Sequence, residues 1–147
     1  MAIWTERPSL SRLKEVSKNT MLEYLGIEFV DIGDDYIKAT MPVDHRTLQP
    51  VGSLHGGASI VLAETLASAG ANYCVDRSKK RCVGLEVNAS HVKAVSEGIV
   101  IGVATPAHIG RSTQIWHVHI TNEKDRLICT ARVTMAVLSR NGINIAS

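Results

Sequence analysis

Hydrophobic positions along the chain change rhythm several times, and each change marks an element. Leu10, Leu13 and Val16 recur at three-residue spacing behind Pro8 and Ser9, which predicts a short helix over about 9–18. Residues 26–32 then alternate in the manner of a strand, Gly33-Asp34-Asp35 turns, and 36–43 (YIKATMPV) alternates again, so the pair reads as a hairpin. A polar loop over 44–54 contains Gln49, Pro50 and Gly52. From His55 to about Cys74 the chain is apolar on nearly every side and rich in Ala and Leu, which predicts a long, buried, central helix. A charged turn, DRSKKR at 76–81, precedes four β-rich segments at 82–93, 98–109, 112–121 and 127–139. Their short breaks, at 96–98, 110–112 and 122–126, predict that successive strands are antiparallel neighbours. The tail over 141–147 is expected to fray.

No linker, repeat or low-complexity block interrupts this order, so 1–147 reads as one domain. The class is α+β: an antiparallel sheet of about six strands wrapped around one long helix. A single helix covers one side of such a sheet. Ile99, Ile101, Val103, Ile115, Trp116 and Val118 supply more apolar material than one side needs, which predicts that copies of the chain associate.

Composition narrows the function classes. With 147 residues, 45% hydrophobic, 20% charged and a net charge of +2, the chain is ordinary for a globular protein. Its basic residues are scattered and only 4% of residues are aromatic, which argues against a nucleic-acid partner. Cys74, Cys82 and Cys129 form no C-x-x-C pair, so neither a disulfide framework nor a zinc ribbon is expected, and a reducing cytoplasm is the simplest home. The N-terminus lacks a signal-peptide core. The segment 53–75 is broken by His55, Gly56, Gly57, Glu64, Ser68 and Asn72, so no membrane crossing is expected.

Within 47–75 there is one acidic side chain, Glu64, and one histidine, His55. A carboxylate buried in apolar surroundings is costly unless paired or protonated, and such groups are candidate acids, bases or nucleophiles. A Glu that faces solvent from one turn of the helix is the bland alternative. Val61, Leu62, Ala63, Leu66, Ala67 and Ala69 leave it little polar face to join, so burial is the expectation. Ser68 and Asn72 follow Glu64 at four and eight residues, lining up as one polar stripe with Thr65 beside it. His55-Gly56-Gly57 opens the same helix, where free N–H groups and the helix dipole stabilise a carbonyl oxygen gaining negative charge. Gly56 and Glu64 are about 12 Å apart along the axis, too far for one thioester-sized group to touch both. Two antiparallel copies of the helix bring Glu64 of one chain towards Gly56 of the other, which predicts a two-fold dimer with two composite sites.

The segments MPVDHRTLQPVGSLHGGASIVLAET, VGLEVNASHVKAV and GRSTQIWHVHI together resemble the hotdog-fold acyl-CoA thioesterases. More narrowly they resemble the branch with the Glu-using 4-hydroxybenzoyl-CoA thioesterases and the 1,4-dihydroxy-2-naphthoyl-CoA hydrolases. The resemblance runs from about Leu25 to Leu138. It implies hydrolysis of acyl-CoA thioesters, aromatic or medium-sized acyl groups favoured, with menaquinone biosynthesis among its settings. It implies that Glu64 is the nucleophile or general base and that the Gly56 N–H binds the thioester oxygen. Gln49 and His55 would hold and shape the same pocket, Ser68 would position water or substrate, and Thr65 stands where close relatives have Ser. His91, Lys93, Arg111 and Ser112 would bind coenzyme A, although relatives commonly have Arg at the place of Lys93. No cofactor or metal is implied, since coenzyme A is part of the substrate. The expected assembly is a homo-oligomer, a dimer needed for the site and a tetramer of two such dimers. His117 and His119 share a strand face but lack a third ligand, so they read as surface or interface residues. Two rivals remain: a hydratase or dehydratase of the same fold acting on acyl thioesters, and a non-catalytic regulator that binds acyl-CoA.

Overall fold

In a computed structural model describing residues 1–142, the chain folds as a six-stranded antiparallel sheet curved around one helix. The helical elements are α1 (Leu10–Ser17), α2 (Met21–Leu25) and α3 (Gly56–Tyr73). The strands are β1 (Glu28–Ile32), β2 (Ile37–Pro42), β3 (Lys80–His91), β4 (Ile99–Ile109), β5 (Thr113–Asn122) and β6 (Leu127–Ser139). Each lies within a few residues of the segment its hydrophobic rhythm predicts. Arg140–Gly142 forms a 3₁₀ turn, so the first two residues of the expected frayed tail are ordered. Residues 143–147 lie outside the described part.

The helix α2 was not expected. Thr20 caps it, its hydroxyl accepting the Leu22 N–H, and Gly26 ends it in the left-handed conformation at φ 71°. Gly26, read from sequence as the first strand residue, is therefore a helix terminator, for which its missing side chain suits it. The five-residue helix is too short to leave a periodic signal.

Strand order is β1-β2-β4-β5-β6-β3. The expectation that 82–93 and 98–109 are neighbours is thus wrong. β3 pairs with β6, and β4 leaves it to pair with β2. The connection 92–98 is a crossing segment, not a hairpin turn. Four backbone bonds pin it to distant elements: Val92 and Lys93 N–H to the Ile128 carbonyl, Leu54 N–H to the Val95 carbonyl and Val43 N–H to the Gly98 carbonyl. β3 therefore ends as an edge strand of twelve residues, paired on one side only.

α3 lies in the concave face of the sheet and touches β2, β3, β4, β5 and β6. Leu62, Ala63, Leu66 and Ala67 are fully buried, facing Met41, Val100, Trp116, Val118 and Met135 in the same core. Gly70 gives way to the Trp116 ring, and Gly102 to Leu62 and Leu66. Removing Leu66 to Ala would cost about 2–5 kcal/mol of stability. Trp116 donates its indole N–H to Gln114 at 2.9 Å and stacks on Trp4 at 6.5 Å, so it packs the core. The helix is not buried all round, as its composition suggested. One sheet covers one side, and Ile60, Glu64, Thr65 and Ser68 lie on the side it leaves uncovered.

Candidate active site

The loop before α3 is stitched to itself. His55 donates its backbone N–H to the Thr47 carbonyl at 2.8 Å, and Leu48 and Leu54 form an isolated bridge. Asp44 holds Arg46 through two side-chain bonds, at 3.1 and 2.7 Å. Those bonds draw the Asp44 carboxyl down to about 2. Within this loop Gln49 is locked. Its side-chain amide donates to the Ser53 hydroxyl at 2.7 Å, and its side-chain oxygen accepts the Val51 N–H at 2.6 Å.

His55 caps α3, its Nδ1 accepting the Gly57 N–H at 2.8 Å. The Ala58 and Ser59 amides donate to the His55 carbonyl. Among the described residues, the Gly56 N–H is left without a partner, as the first helical position requires. The His91 ring lies flat against this glycine: a Cβ at residue 56 would sit 2.8 Å from His91 Nε2. Gln49, Gly56, His91 and Lys93 thus line one cleft of about 320 Å³, together with Ser53 and Ser59. Five of the residues singled out in the sequence meet at this end of the helix.

The others of the catalytic set sit two turns on. Glu64, Thr65 and Ser68 line a second cleft, of about 520 Å³. Contrary to expectation, Glu64 is exposed in the single chain. Its carboxylate takes part in no hydrogen bond or ion pair among the described residues, and it lies over Gly84 of β3. A Cβ there would overlap Glu64 Oε1. Gly84 was missed in the sequence, although a glycine inside a strand signals a bulge or a close approach. Both hold: the β3–β6 register shifts between Gly84 and Glu86, and the intervening Leu85 is 61% exposed. Asn72, the last member of the polar stripe, is structural. It accepts the Cys82 N–H and donates to the Cys82 and Ser68 carbonyls, tying α3 to β3.

The single chain does not bring the four expected coenzyme A residues together. His91 and Lys93 flank the first turn of α3. Arg111 lies by Cys74, Asp76, Lys79 and Lys80, beyond the last turn, and Ser112 follows it in the β4–β5 connection. About 27 Å of helix separates the two groups. His117 and His119 are exposed on β5, and no group of three metal-ligating side chains forms among the described residues. All three cysteines are free. Burial pushes the Cys74 thiol up to about 12 and the Cys82 thiol to about 11, which leaves both unreactive. No described helix is long and apolar enough to cross a membrane.

Comparison with known proteins agrees with this architecture. Residues 51–129, the stretch from the Gln49 loop through β3, β4 and β5 into β6, match the thioesterase superfamily model. The 1,4-dihydroxy-2-naphthoyl-CoA hydrolase of Escherichia coli is 47% identical over 92% of this chain and 99% of its own. The proofreading thioesterase EntH of Cronobacter turicensis is 49% identical over 92% of this chain and 98% of its own. A crystal structure of a mutant thioesterase from Pseudomonas aeruginosa superimposes with a TM-score of 0.93, at 44% identity, covering 94% of this chain and 99% of that one. The chain belongs to the thioesterase superfamily and is a hydrolase of the hotdog fold.

Proposed function

We propose that the protein hydrolyses acyl-CoA thioesters, with an aromatic or medium-sized acyl group, at composite sites between two copies of the chain. The observation that carries this reading is the division of the site residues along α3. A bare amide with an imidazole against it stands at the first turn, and an unpaired carboxylate stands at the third. About 12 Å separates them within one chain, so a second copy must supply the missing half.

The edge strand supports that assembly. β3 is long, exposed and unpaired along one side, a geometry that invites pairing with another chain. Glu64 lies over this strand at Gly84, with Leu85 beside it. Two copies joined along β3 in antiparallel fashion cover that edge and run their α3 helices in opposite directions. Pairing of two such dimers through the outer sheet face would give the tetramer expected from the family resemblance.

In the composite site the thioester oxygen accepts from the Gly56 N–H of one chain, with Gln49 and His91 beside it. Glu64 of the other chain acts in one of two ways. As nucleophile it attacks the carbonyl carbon, expels coenzyme A as the thiolate and leaves a mixed anhydride that water hydrolyses. As base it takes a proton from water, which attacks directly. Both yield free acid and thiol. Coenzyme A carries phosphates, and Lys93 at one end and Arg111 at the other offer cations for them once a neighbouring chain is in place.

Thiol release from a panel of benzoyl, phenylacetyl, naphthoyl and straight-chain CoA esters tests the reading. Release from aromatic esters at enzymatic rates is expected. Conversion of enoyl or 3-hydroxyacyl thioesters without thiol release would instead mark a hydratase, and tight binding without turnover a regulator. A single turnover in ¹⁸O-water bears on the two roles of Glu64: a first acid free of ¹⁸O marks a nucleophile whose anhydride is opened at the Glu64 carbonyl, since a general base always delivers water oxygen to the acid.

A further inference from the structure

We propose that Arg77 is a specificity residue that reads a hydroxyl or anionic oxygen at the end of the acyl group remote from the thioester; this rests on the thioesterase reading above. The cleft beside Glu64 is one continuous trough. Glu64, Thr65 and Ser68 stand at one part of it, and Asn72, Tyr73 and Arg77 at the other. Between Glu64 and Tyr73 the helix rises about 13 Å. The walls between are apolar, with Val61 and Ala69 from α3 faced by Leu13 and Val16 from α1 and Phe29 from β1. Its volume of about 520 Å³ suits a small organic group rather than a few waters.

In such pockets the apolar lining supplies affinity, and a few placed polar groups fix orientation. Asn72 is fully committed to Cys82 and Ser68, so it has little left to offer. Arg77 is different. Its guanidinium is held 4.2 Å above the Tyr73 ring, and Nη2 donates to Glu6 at 3.0 Å. The Nε–H is shielded from solvent and has no acceptor among the described residues. That atom is closed to a ligand as it is to water, but the Nη groups are accessible and Glu6 is their one side-chain acceptor among the described residues, so an oxygen entering from the trough can accept from their remaining N–H bonds. The stack on Tyr73 and the bond to Glu6 hold the group in place beforehand, so little side-chain freedom is lost when a ligand binds. The chemistry that fits is a phenol, carboxylate or carbonyl oxygen carried by a ring or short chain.

Two matched pairs of substrates test this: benzoyl-CoA with 4-hydroxybenzoyl-CoA, and 2-naphthoyl-CoA with 6-hydroxy-2-naphthoyl-CoA. The wild-type protein is expected to prefer the hydroxylated member of at least one pair by about tenfold in kcat/KM. Arg77→Met should collapse that ratio to within about twofold, the loss falling on KM of the hydroxylated member. Glu6→Gln, which frees the guanidinium without removing it, should reduce the ratio by a smaller factor, and it serves if Arg77→Met does not fold. Binding of the free acids, followed by ligand-observed NMR, should show the same ranking without turnover. An equal fall for both members of each pair would assign Arg77 a structural role and overturn the proposal. So would equal wild-type rates within both pairs, although the hydrolase reading would then stand. Absence of thiol release from all four esters would sink both.

Discussion

The first and third turns of α3 meet solvent in opposite states. At the first turn every neighbour is fixed. His55 caps the helix, Gln49 is bonded at both ends of its amide, and His91 rests on Gly56. At the third turn Glu64 has no partner among the described residues, and its surroundings are an edge strand and a trough. In the proposed composite site, the same helix thus carries a finished half and an open one. Preorganised donors stabilise developing charge because they need no rearrangement during the reaction. A carboxylate that attacks or takes a proton gains from the opposite condition, since no bond must be broken before it acts. Under the proposed mechanism the distance between the two turns is what calls for a second chain.

The largest expected effect comes from removing the open half. Glu64→Gln should lower kcat by about 10²–10⁴-fold, the usual worth of general acid–base catalysis, or more for a nucleophile. The melting temperature should stay near wild type, because Glu64 is exposed and unpaired. A near-normal rate would remove Glu64 from the mechanism. Complementation sharpens the comparison. Gly56→Val blocks the finished half, as its side chain meets His91. Mixed with Glu64→Gln in one preparation, it should restore about a quarter of wild-type activity, since half of the dimers then carry one intact composite site. Two inactive parents with an inactive mixture would place both halves in one chain.

Gly84 tests how tightly the open half is held. A methyl at this position overlaps Glu64 Oε1. Gly84→Ala should therefore shift the carboxylate and lower kcat about tenfold or more, with a smaller change in KM. A fall in KM alone would count against this.

Much of this contrast was legible in the chain, and what escaped did so for definable reasons. The central helix and the six strands follow, to within a few residues at their ends, from hydrophobic rhythm, which is local. The crossing of 92–98 is not local: its length matches a hairpin, and only the bonds from Val43, Leu54, Val92 and Lys93 to distant partners define its course. The eight-residue interval from Gly56 to Glu64 predicted that the two residues would stand apart along the helix, and they line separate clefts. The exposure of Glu64 did not follow, because burial was inferred from apolar neighbours on the helix, while the sheet covers only one of its sides. Gly84 left a signal, a glycine within a strand, but not the identity of what approached it. Arg77 sat within a charged run that reads as a solvated turn, and only the fold shows it over Tyr73.

The smallest effect probes why the finished half is finished. Asp44 and Arg46 brace the loop that carries Gln49, and the Arg46 side chain is the chief reason that the Asp44 carboxyl falls to about 2. The sign of the linkage follows from that depression. A carboxylate with a folded pKa below its unfolded value of about 3.9 stabilises the fold above that value, and the contribution fades as pH falls through the folded pKa. The wild-type melting temperature should therefore exceed that of Asp44→Asn at pH 6, and the gap should close between about pH 4 and pH 2. The Asp44 side chain is 34% exposed, so salt should shrink the gap in part as well. A gap that stayed constant from pH 6 to pH 2 would mean that the amide loses a packing or capping contact, not the ion pair. The brace on Gln49 would then owe nothing to charge.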